Sequence, residues 1–223
     1  MTNGRKKDKT FFAQLNQLIG FFKKGEYMRI KIMLTAVIIA GLFAGPGFSE
    51  SHDQRIEKSR EMVSEFAAEL KSHLQSALVK GGPTEAIAVC SEIAPDIARR
   101  FSNQTGWEIC RTALKYRNPD NAPDEWEKKI LEKFKEQQQA GQPIKEMETS
   151  EVVNINGKPY FRYMKAIPTK GVCVTCHGPS IAPKVAAAID KRYPNDQARG
   201  FKVGDIRGAF TIIQPMDEKT KPK

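Results

Sequence analysis

Two consecutive segments of the chain carry hydrophobic residues with the period of an α-helix. In residues 53–79 the apolar positions recur at steps of three, four and seven, which is typical of one buried helical face. Gly81-Gly82-Pro83 ends this helix, because glycine and proline both disfavour a helix interior. The same period returns from Thr84 to Gly106, with Cys90 on the apolar face. The sequence therefore predicts a long N-terminal helical region.

Further along, the hydrophobic period changes to that of β-strands. A third helix is predicted from Pro123 to about Ala140, and a short one over Pro183–Arg192. The segments with alternating polarity, predicted as strands, are 107–116, 147–155, 159–167 and 205–216. Asn156-Gly157 separates two of them and is the dipeptide most typical of a two-residue hairpin. Helices followed by antiparallel strands indicate the α+β fold class.

The composition is that of a globular protein. The 223 residues are 40% hydrophobic and 28% charged, which excludes collagen-like proteins, coiled-coil rods and polytopic membrane proteins. The formal net charge of +10 is concentrated near the N-terminus, because residues 1–49 hold eight basic and two acidic side chains. A surplus of four positive charges is left for residues 50–223. We therefore expect no nucleic acid among the partners.

Residues 28–49 have the organisation of a secretory signal peptide. Arg29 and Lys31 precede an apolar run over Ile32–Gly45, and Pro46–Ser49 supplies small residues for a cleavage site. The apolar run is shorter than the roughly twenty residues that span a bilayer. We therefore expect export to the periplasm. The alternative is an uncleaved anchor, and we expect contact with the membrane only in that case.

The signal also sets the expected limits of the domain. Residues 1–27 precede a complete signal, so we expect Met28 to be the true start and residues 1–27 to be an over-extended gene model. The Lys-rich residues 217–223 are expected to form a disordered tail. Residues 50–216 remain as the predicted folded domain.

Cys173-Val174-Thr175-Cys176-His177 is a Cys-x-x-Cys-His motif, which is typical of c-type haem attachment. Two thiols at this spacing can add to the two vinyl groups of the porphyrin, and the adjacent histidine can ligate the iron. A thioredoxin-like pair would need a βαβ setting, and a zinc site would need a second Cys/His pair. The sequence offers neither. Export supplies the compartment in which haem is attached, so we expect one covalent haem c on Cys173 and Cys176, with His177 as an iron ligand.

The residue types leave the second axial ligand open among four side chains. His52 lies beside the predicted cleavage site, where a solvated residue is the simpler interpretation. His73 lies beside the apolar face of the first helix, and Met164 lies on a hairpin strand before the haem motif. Cys90 lies on the apolar face of the second helix, where an inert buried thiol is the simpler interpretation. Both methionine and thiolate are nevertheless established ligands of haem iron.

A combination of short segments resembles the family of exported single-haem c-type cytochromes with a PAS-like fold. The segments that carry the resemblance are Ala86–Pro95, Arg111-Thr112, Arg117–Glu127, Cys173–Gly178, Tyr193–Asp196 and Gly204–Gly208. The resemblance covers about residues 55–216 and is far more specific than the haem motif alone.

The resemblance implies a fold, a cofactor and a ligand set. It implies an antiparallel sheet of about five strands flanked by helices. It also implies one haem c held through Cys173 and Cys176, with His177 and Cys90 as the iron ligands. We expect no ligand role for Cys110, which is predicted to be a strand core residue. Arg111 and Arg117 remain open between binding haem propionates and hydrogen-bonding backbone carbonyls of the loop that follows Arg117.

Three functions of different classes fit such a haem. The first is a redox or small-ligand responsive protein, because a thiolate stabilises ferric iron and could be displaced by a diatomic ligand. The second is a low-potential electron carrier with a redox partner protein. The third is a haem enzyme such as a peroxidase, which needs a distal acid or base that three histidines supply poorly. We expect a haem protein without enzymatic activity.

Overall fold

The computed structural model describes residues 50–216. The predicted gene-model segment 1–27, the predicted signal 28–49 and the predicted tail 217–223 lie outside the described residues. These three assignments therefore stay predictions.

Five α-helices and four strands follow one another in the described part of the chain. The α-helices are α1 (His52–Ala88), α2 (Ala94–Thr105), α3 (Glu125–Gln139), α4 (Val174–His177) and α5 (Pro183–Arg192). The strands are β1 (Glu108–Thr112), β2 (Glu148–Ile155), β3 (Lys158–Pro168) and β4 (Ile206–Pro215). A π-helix, Val89–Ile93, joins α1 to α2, and short 3-10 turns occur at Pro119–Asn121, Ile144–Glu146 and Gly171–Cys173.

Local signals in the sequence set the limits of the helical region. The Ser51 side chain accepts a hydrogen bond from the Gln54 amide at 3.2 Å, and the Gln54 side chain accepts one from the Ser51 amide at 2.8 Å, so a capping box begins α1. Gly82 has φ 70° and ψ −164°, which interrupts α1 in front of Pro83. This confirms the predicted break. Gly106 ends α2 with φ 71°, a left-handed conformation that favours glycine.

The four strands form one antiparallel sheet in the order β1-β4-β3-β2. Asn156 and Gly157, with φ of 53° and 84°, connect β2 to β3, as a two-residue hairpin of this type requires. The α+β class with a long N-terminal helical region is confirmed. The described sheet has four strands, slightly fewer than the five or so that the resemblance implied.

Strand β1 is shorter than the predicted segment 107–116. It ends at Thr112, after which the Ala113 amide donates to the Asn121 carbonyl at 3.2 Å. The Tyr116 carbonyl accepts a hydrogen bond from the Gln197 amide at 3.0 Å. The second half of the predicted strand is therefore paired with loops, one nearby in sequence and one distant, instead of with a strand.

Each face of the sheet is covered by helices. On one face, α1 and α2 enclose the larger core, which contains Val63, Phe66, Ile97, Phe101, Ile109, Phe161, Tyr163, Phe210 and Ile212. On the other face, α3 encloses a second core, which contains Leu131, Phe134, Met147, Met164, Ala166 and Ala209. Fully burying one large apolar side chain contributes about 1.5–3 kcal/mol, so the two cores supply the main stabilisation of the sheet.

A carboxylate at the start of β2 fastens α1 to the sheet. Glu148 accepts hydrogen bonds from Arg60 of α1 at 2.9 Å, from the Tyr163 hydroxyl at 2.8 Å and from Lys165 at 2.9 Å. Burial by itself would raise the pKa of Glu148, but the hydrogen bonds from these three side chains outweigh it and lower the pKa to about 2. Glu148 therefore stays ionised in mildly acidic solution.

Within residues 50–216, every helix is too short or too polar to cross a lipid bilayer.

Candidate functional site

The Cys-x-x-Cys-His motif forms a tight turn at the wall of a cleft. Cys173 ends a 3-10 turn, and Cys176 and His177 lie on the single turn of α4 that follows. Residues three apart on such a turn share one face, and Cys173, Cys176 and His177 all line the same cleft. The predicted attachment and ligand residues are therefore brought together.

Gly178 ends this turn and allows its close packing. Its amide donates to the Val174 carbonyl at 2.9 Å. A Cβ atom at Gly178 would lie 2.4 Å from that carbonyl oxygen, which is closer than real Cβ contacts come. The chain must therefore use glycine to leave α4 in this direction.

His177 is held by its Nδ1 atom. Nδ1 lies 2.8 Å from the Ala198 carbonyl oxygen, to which only an N–H can donate, so the Nε2 atom carries a lone pair. Burial lowers the pKa of His177 to about 3, with further lowering by the positive charges of Arg207 and Arg117. A neutral imidazole with a free Nε2 is the form that ligates a metal.

Cys90 lies within the π-helix that joins α1 to α2, and it lines the same cleft. Short π-helical segments occur frequently at functional sites. Ser91 donates to the Ala88 carbonyl at 3.1 Å and accepts a hydrogen bond from Arg192 of α5 at 2.8 Å. Arg192 also contacts the Glu92 carboxylate at 2.5 Å. These contacts tie the residues beside Cys90 to the helix that follows the Cys-x-x-Cys-His turn.

The cleft is mainly apolar and large. The space that it encloses, including the part open to solvent, is about 1050 Å³. The apolar lining includes Leu70, Leu74, Leu78, Ala86, Ile87, Ile167 and Val172. Together with two attachment thiols, a neutral histidine and a further cysteine, this lining fits the haem c that the motif predicts.

Three arginines also line the cleft, and one of them was missed from the sequence. The sequence left the roles of Arg111 and Arg117 open, and Arg207 joins them from the start of β4. Arg207 belongs to Gly204–Gly208, one of the segments that carry the family resemblance. A single arginine at a predicted strand end does not by itself indicate that its side chain lines a cleft.

Arg117 hydrogen-bonds backbone carbonyls, but not those of the loop that was considered from the sequence. It is buried and donates to the Cys176 carbonyl at 2.6 Å and to the Ala198 carbonyl at 3.3 Å. It also donates to the two carboxylate oxygens of Asp196 at 3.0 and 3.3 Å. Arg117 thus joins the Cys-x-x-Cys-His turn to the loop that holds His177, rather than fixing the loop that follows Arg117 itself.

The other side chains considered as iron ligands lie elsewhere. His52 contacts Ser150 through Nε2 at 3.1 Å, and His73 lies 3.9 Å from Glu69. Met164 is fully buried in the core beneath α3. These three side chains are not among those that line the cleft.

Cys110 is not among the described residues that line the cleft. Burial raises the pKa of its thiol to about 12, with further raising by the negative charges of Glu127 and Glu108. A protonated thiol in this half-buried position acts as a small packing side chain.

The fold and the cleft together define the class of this protein. It is an α+β domain in which a Cys-x-x-Cys-His turn and a π-helical cysteine face one apolar cleft. The chain belongs to the Tll0287-like family, whose family model matches residues 48–215. The family resemblance drawn from the sequence is thereby confirmed.

A solved structure has the same fold. The crystal structure of the cyanobacterial haem protein Tll0287 matches with a TM-score of 0.57 and 24% sequence identity, over 74% of this chain and 97% of that chain. A search of curated proteins gave no match.

Proposed function

We propose that this chain is a periplasmic monohaem c-type cytochrome that acts as a redox or small-ligand responsive protein. Haem c would be attached to Cys173 and Cys176, and its iron would be ligated by His177 and Cys90. When bound, haem c supplies a reversible one-electron couple and a metal centre whose axial ligands can be exchanged. The observation that carries this proposal is the convergence of all four residues on one apolar cleft.

The chain's own groups support the predicted ligand roles. The hydrogen bond to the Ala198 carbonyl holds the His177 ring and leaves its Nε2 free. The π-helix brings Cys90 to the same cleft, and the Ser91–Arg192 hydrogen bond fastens that helix to α5. Leu70, Leu74 and Leu78 give the cleft an apolar lining. The loss of a weakly held thiolate would then provide the response to a ligand.

The second candidate function, a low-potential electron carrier, is favoured by one observation. Val172 lines the cleft beside Cys173 and is 50% exposed. An exposed apolar side chain next to the attachment turn would let a redox partner protein approach the edge of the haem. The third candidate, a peroxidase, gains no support from the described cleft lining, which offers no carboxylate and no histidine beyond His177.

The test is expression of the exported protein in a host that attaches haem c. We expect haem that resists acid-acetone extraction, haem staining on a denaturing gel, and loss of both in the Cys173→Ala/Cys176→Ala variant. Cys110→Ala is the matched control and should stain like the parent. Extractable haem in the parent protein would contradict covalent attachment.

Two further measurements test ligation and location. The ferric protein should give a low-spin EPR spectrum typical of thiolate and imidazole ligands, and His177→Ala should lose it. Cell fractionation should place the haem in the periplasmic fraction. Exchange of electrons with other cytochromes, without a spectral change on adding a diatomic ligand, would favour the electron carrier.

A further inference from the structure

The charges that line the cleft are all of one sign. Arg111, Arg117 and Arg207 line it, and no aspartate or glutamate does so among the described residues. An arginine that is partly removed from water needs a counter-ion or a full set of hydrogen bonds. The partners of the three guanidinium groups therefore show whether the cleft is built for an anion.

Arg117 has its full set of partners within the protein. Its ion pair with Asp196 is buried, because the two side chains are 7% and 2% exposed. Its other hydrogen bonds go to the Cys176 and Ala198 carbonyls. Arg117 is therefore already neutralised and cannot turn towards a ligand without losing these contacts.

Arg111 and Arg207 differ from Arg117 in this respect. Within residues 50–216, neither is paired with a carboxylate, and Arg111 makes no side-chain hydrogen bond. Arg207 makes one hydrogen bond, to the Lys115 carbonyl at 3.2 Å, and its guanidinium lies 5.1 Å from the centre of the Phe201 ring. Most of the donors of both groups remain available.

The surroundings of Arg207 disfavour a cation. Burial, together with the positive charges of Arg117 and Arg111, lowers the pKa of Arg207 to about 10. Two anionic groups in the cleft would remove this repulsion. The cleft thus calls for a ligand with a broad apolar body and two negative charges.

We infer that Arg111 and Arg207 form the binding site for the two propionate carboxylates of the haem, and that Arg117 takes no part in it. This inference rests on the proposed function, because its ligand is the haem itself. A guanidinium donates two parallel hydrogen bonds to one carboxylate, so each arginine suits one propionate. The two cations then lie beside the redox centre and stabilise its more negative, ferrous state.

The experiment compares the reduction potentials of holoprotein variants. Arg111→Gln and Arg207→Gln each remove one cation and keep a polar side chain. At a fixed applied potential, we expect each to raise the ratio of ferric to ferrous protein about tenfold, which is a downward shift of about 59 mV for one electron. The propionate bending bands in the resonance Raman spectrum should shift as well. The matched control is Arg99→Gln, at an exposed position of α2 that pairs with Asp96.

Lysine variants keep the experiment decisive if a glutamine variant does not accumulate. Arg111→Lys and Arg207→Lys retain the charge but lose the two-pronged geometry. They should therefore shift the Raman bands while moving the potential less than glutamine does. Unchanged Raman bands in the lysine variants would overturn the inference.

Other outcomes separate the possible errors. Potentials of both glutamine variants equal to that of Arg99→Gln, with haem still attached, would overturn the propionate site alone. A parent protein without covalent haem would instead overturn the proposed function. A potential shift that occurs only in phosphate buffer would assign the arginines to a free anion, and would also overturn the inference.

Discussion

We expect the loss of Arg117 to lower the free energy of unfolding, because its hydrogen bonds hold the site together although it is neither an attachment nor a ligand residue. In Arg117→Met the apolar replacement fills much of the same space but removes four hydrogen bonds, two to Asp196 and two to backbone carbonyls. It also leaves the Asp196 side chain, which is 2% exposed, without its buried partner. Breaking a buried ion pair costs about 3–5 kcal/mol.

Two remaining contacts moderate this cost. Asp196 keeps the ion pair with Arg199 at 2.8 Å and the hydrogen bond from the Ala198 amide at 2.9 Å. We therefore expect the lower end of the range, a loss of about 3 kcal/mol in the free energy of unfolding.

The assay is urea unfolding of the holoprotein followed by far-ultraviolet circular dichroism. Arg99→Gln, at an exposed position, should change the free energy of unfolding by less than about 0.5 kcal/mol. A double-mutant cycle with Asp196→Asn should give a coupling energy in the range of about 0.5–3 kcal/mol. A loss below about 1 kcal/mol in Arg117→Met, with no coupling to Asp196, would refute the role given to this ion pair.

Three other predictions concern the ligand, the core and acid stability. Cys90→Ala should convert low-spin ferric haem to a high-spin or water-ligated form. It should also raise the reduction potential by on the order of 59 mV or more, because an anionic donor favours ferric iron. An unchanged EPR spectrum in Cys90→Ala, with a change in Cys110→Ala, would reassign the ligand. Met164→Ala should cost about 2–5 kcal/mol in urea unfolding, as for other buried large-to-small changes, and should leave the haem spectrum unaltered. The folded pKa of Glu148, about 2, lies below the value of about 4.3 in an unfolded chain, so its contribution to stability is complete above pH ~4.5 and is lost as the pH falls towards 2. Glu148→Gln should flatten the dependence of stability on pH in that interval, and an unchanged acid-unfolding curve would contradict this account.

Local signals in the sequence were sufficient for most of the secondary structure. Asn156-Gly157 defines a two-residue hairpin because both positions adopt positive φ, and Gly82 with Pro83 interrupts the first helix. The predicted strand 107–116 was too long because its second half pairs with loop residues, Asn121 and Gln197, instead of with a strand. Such pairing is invisible to periodicity.

The candidate site was predictable in its chemistry but not in its contacts. The Cys-x-x-Cys-His motif and the resemblance indicated the residues that the cleft brings together. Arg117 differs from Arg207 because it hydrogen-bonds Asp196 and the Cys176 carbonyl. Nothing in the sequence indicates that either group lies beside an arginine. The π-helix at Cys90 was also missed, because the apolar face of the predicted helix runs through it without an obvious interruption.

Because of that π-helix, the position of Cys90 depends on the number of residues in the segment around it. Hydrogen bonds in a π-helix span five residues instead of four, so this turn holds one residue more than an α-helix would. Deleting one of the residues between Cys90 and α2, such as Ser91, would let α-helical hydrogen bonding run through this segment and remove the widened turn in which Cys90 lies. Surface loops of most proteins tolerate changes of length, whereas in this helix one residue decides whether a cysteine faces the cleft.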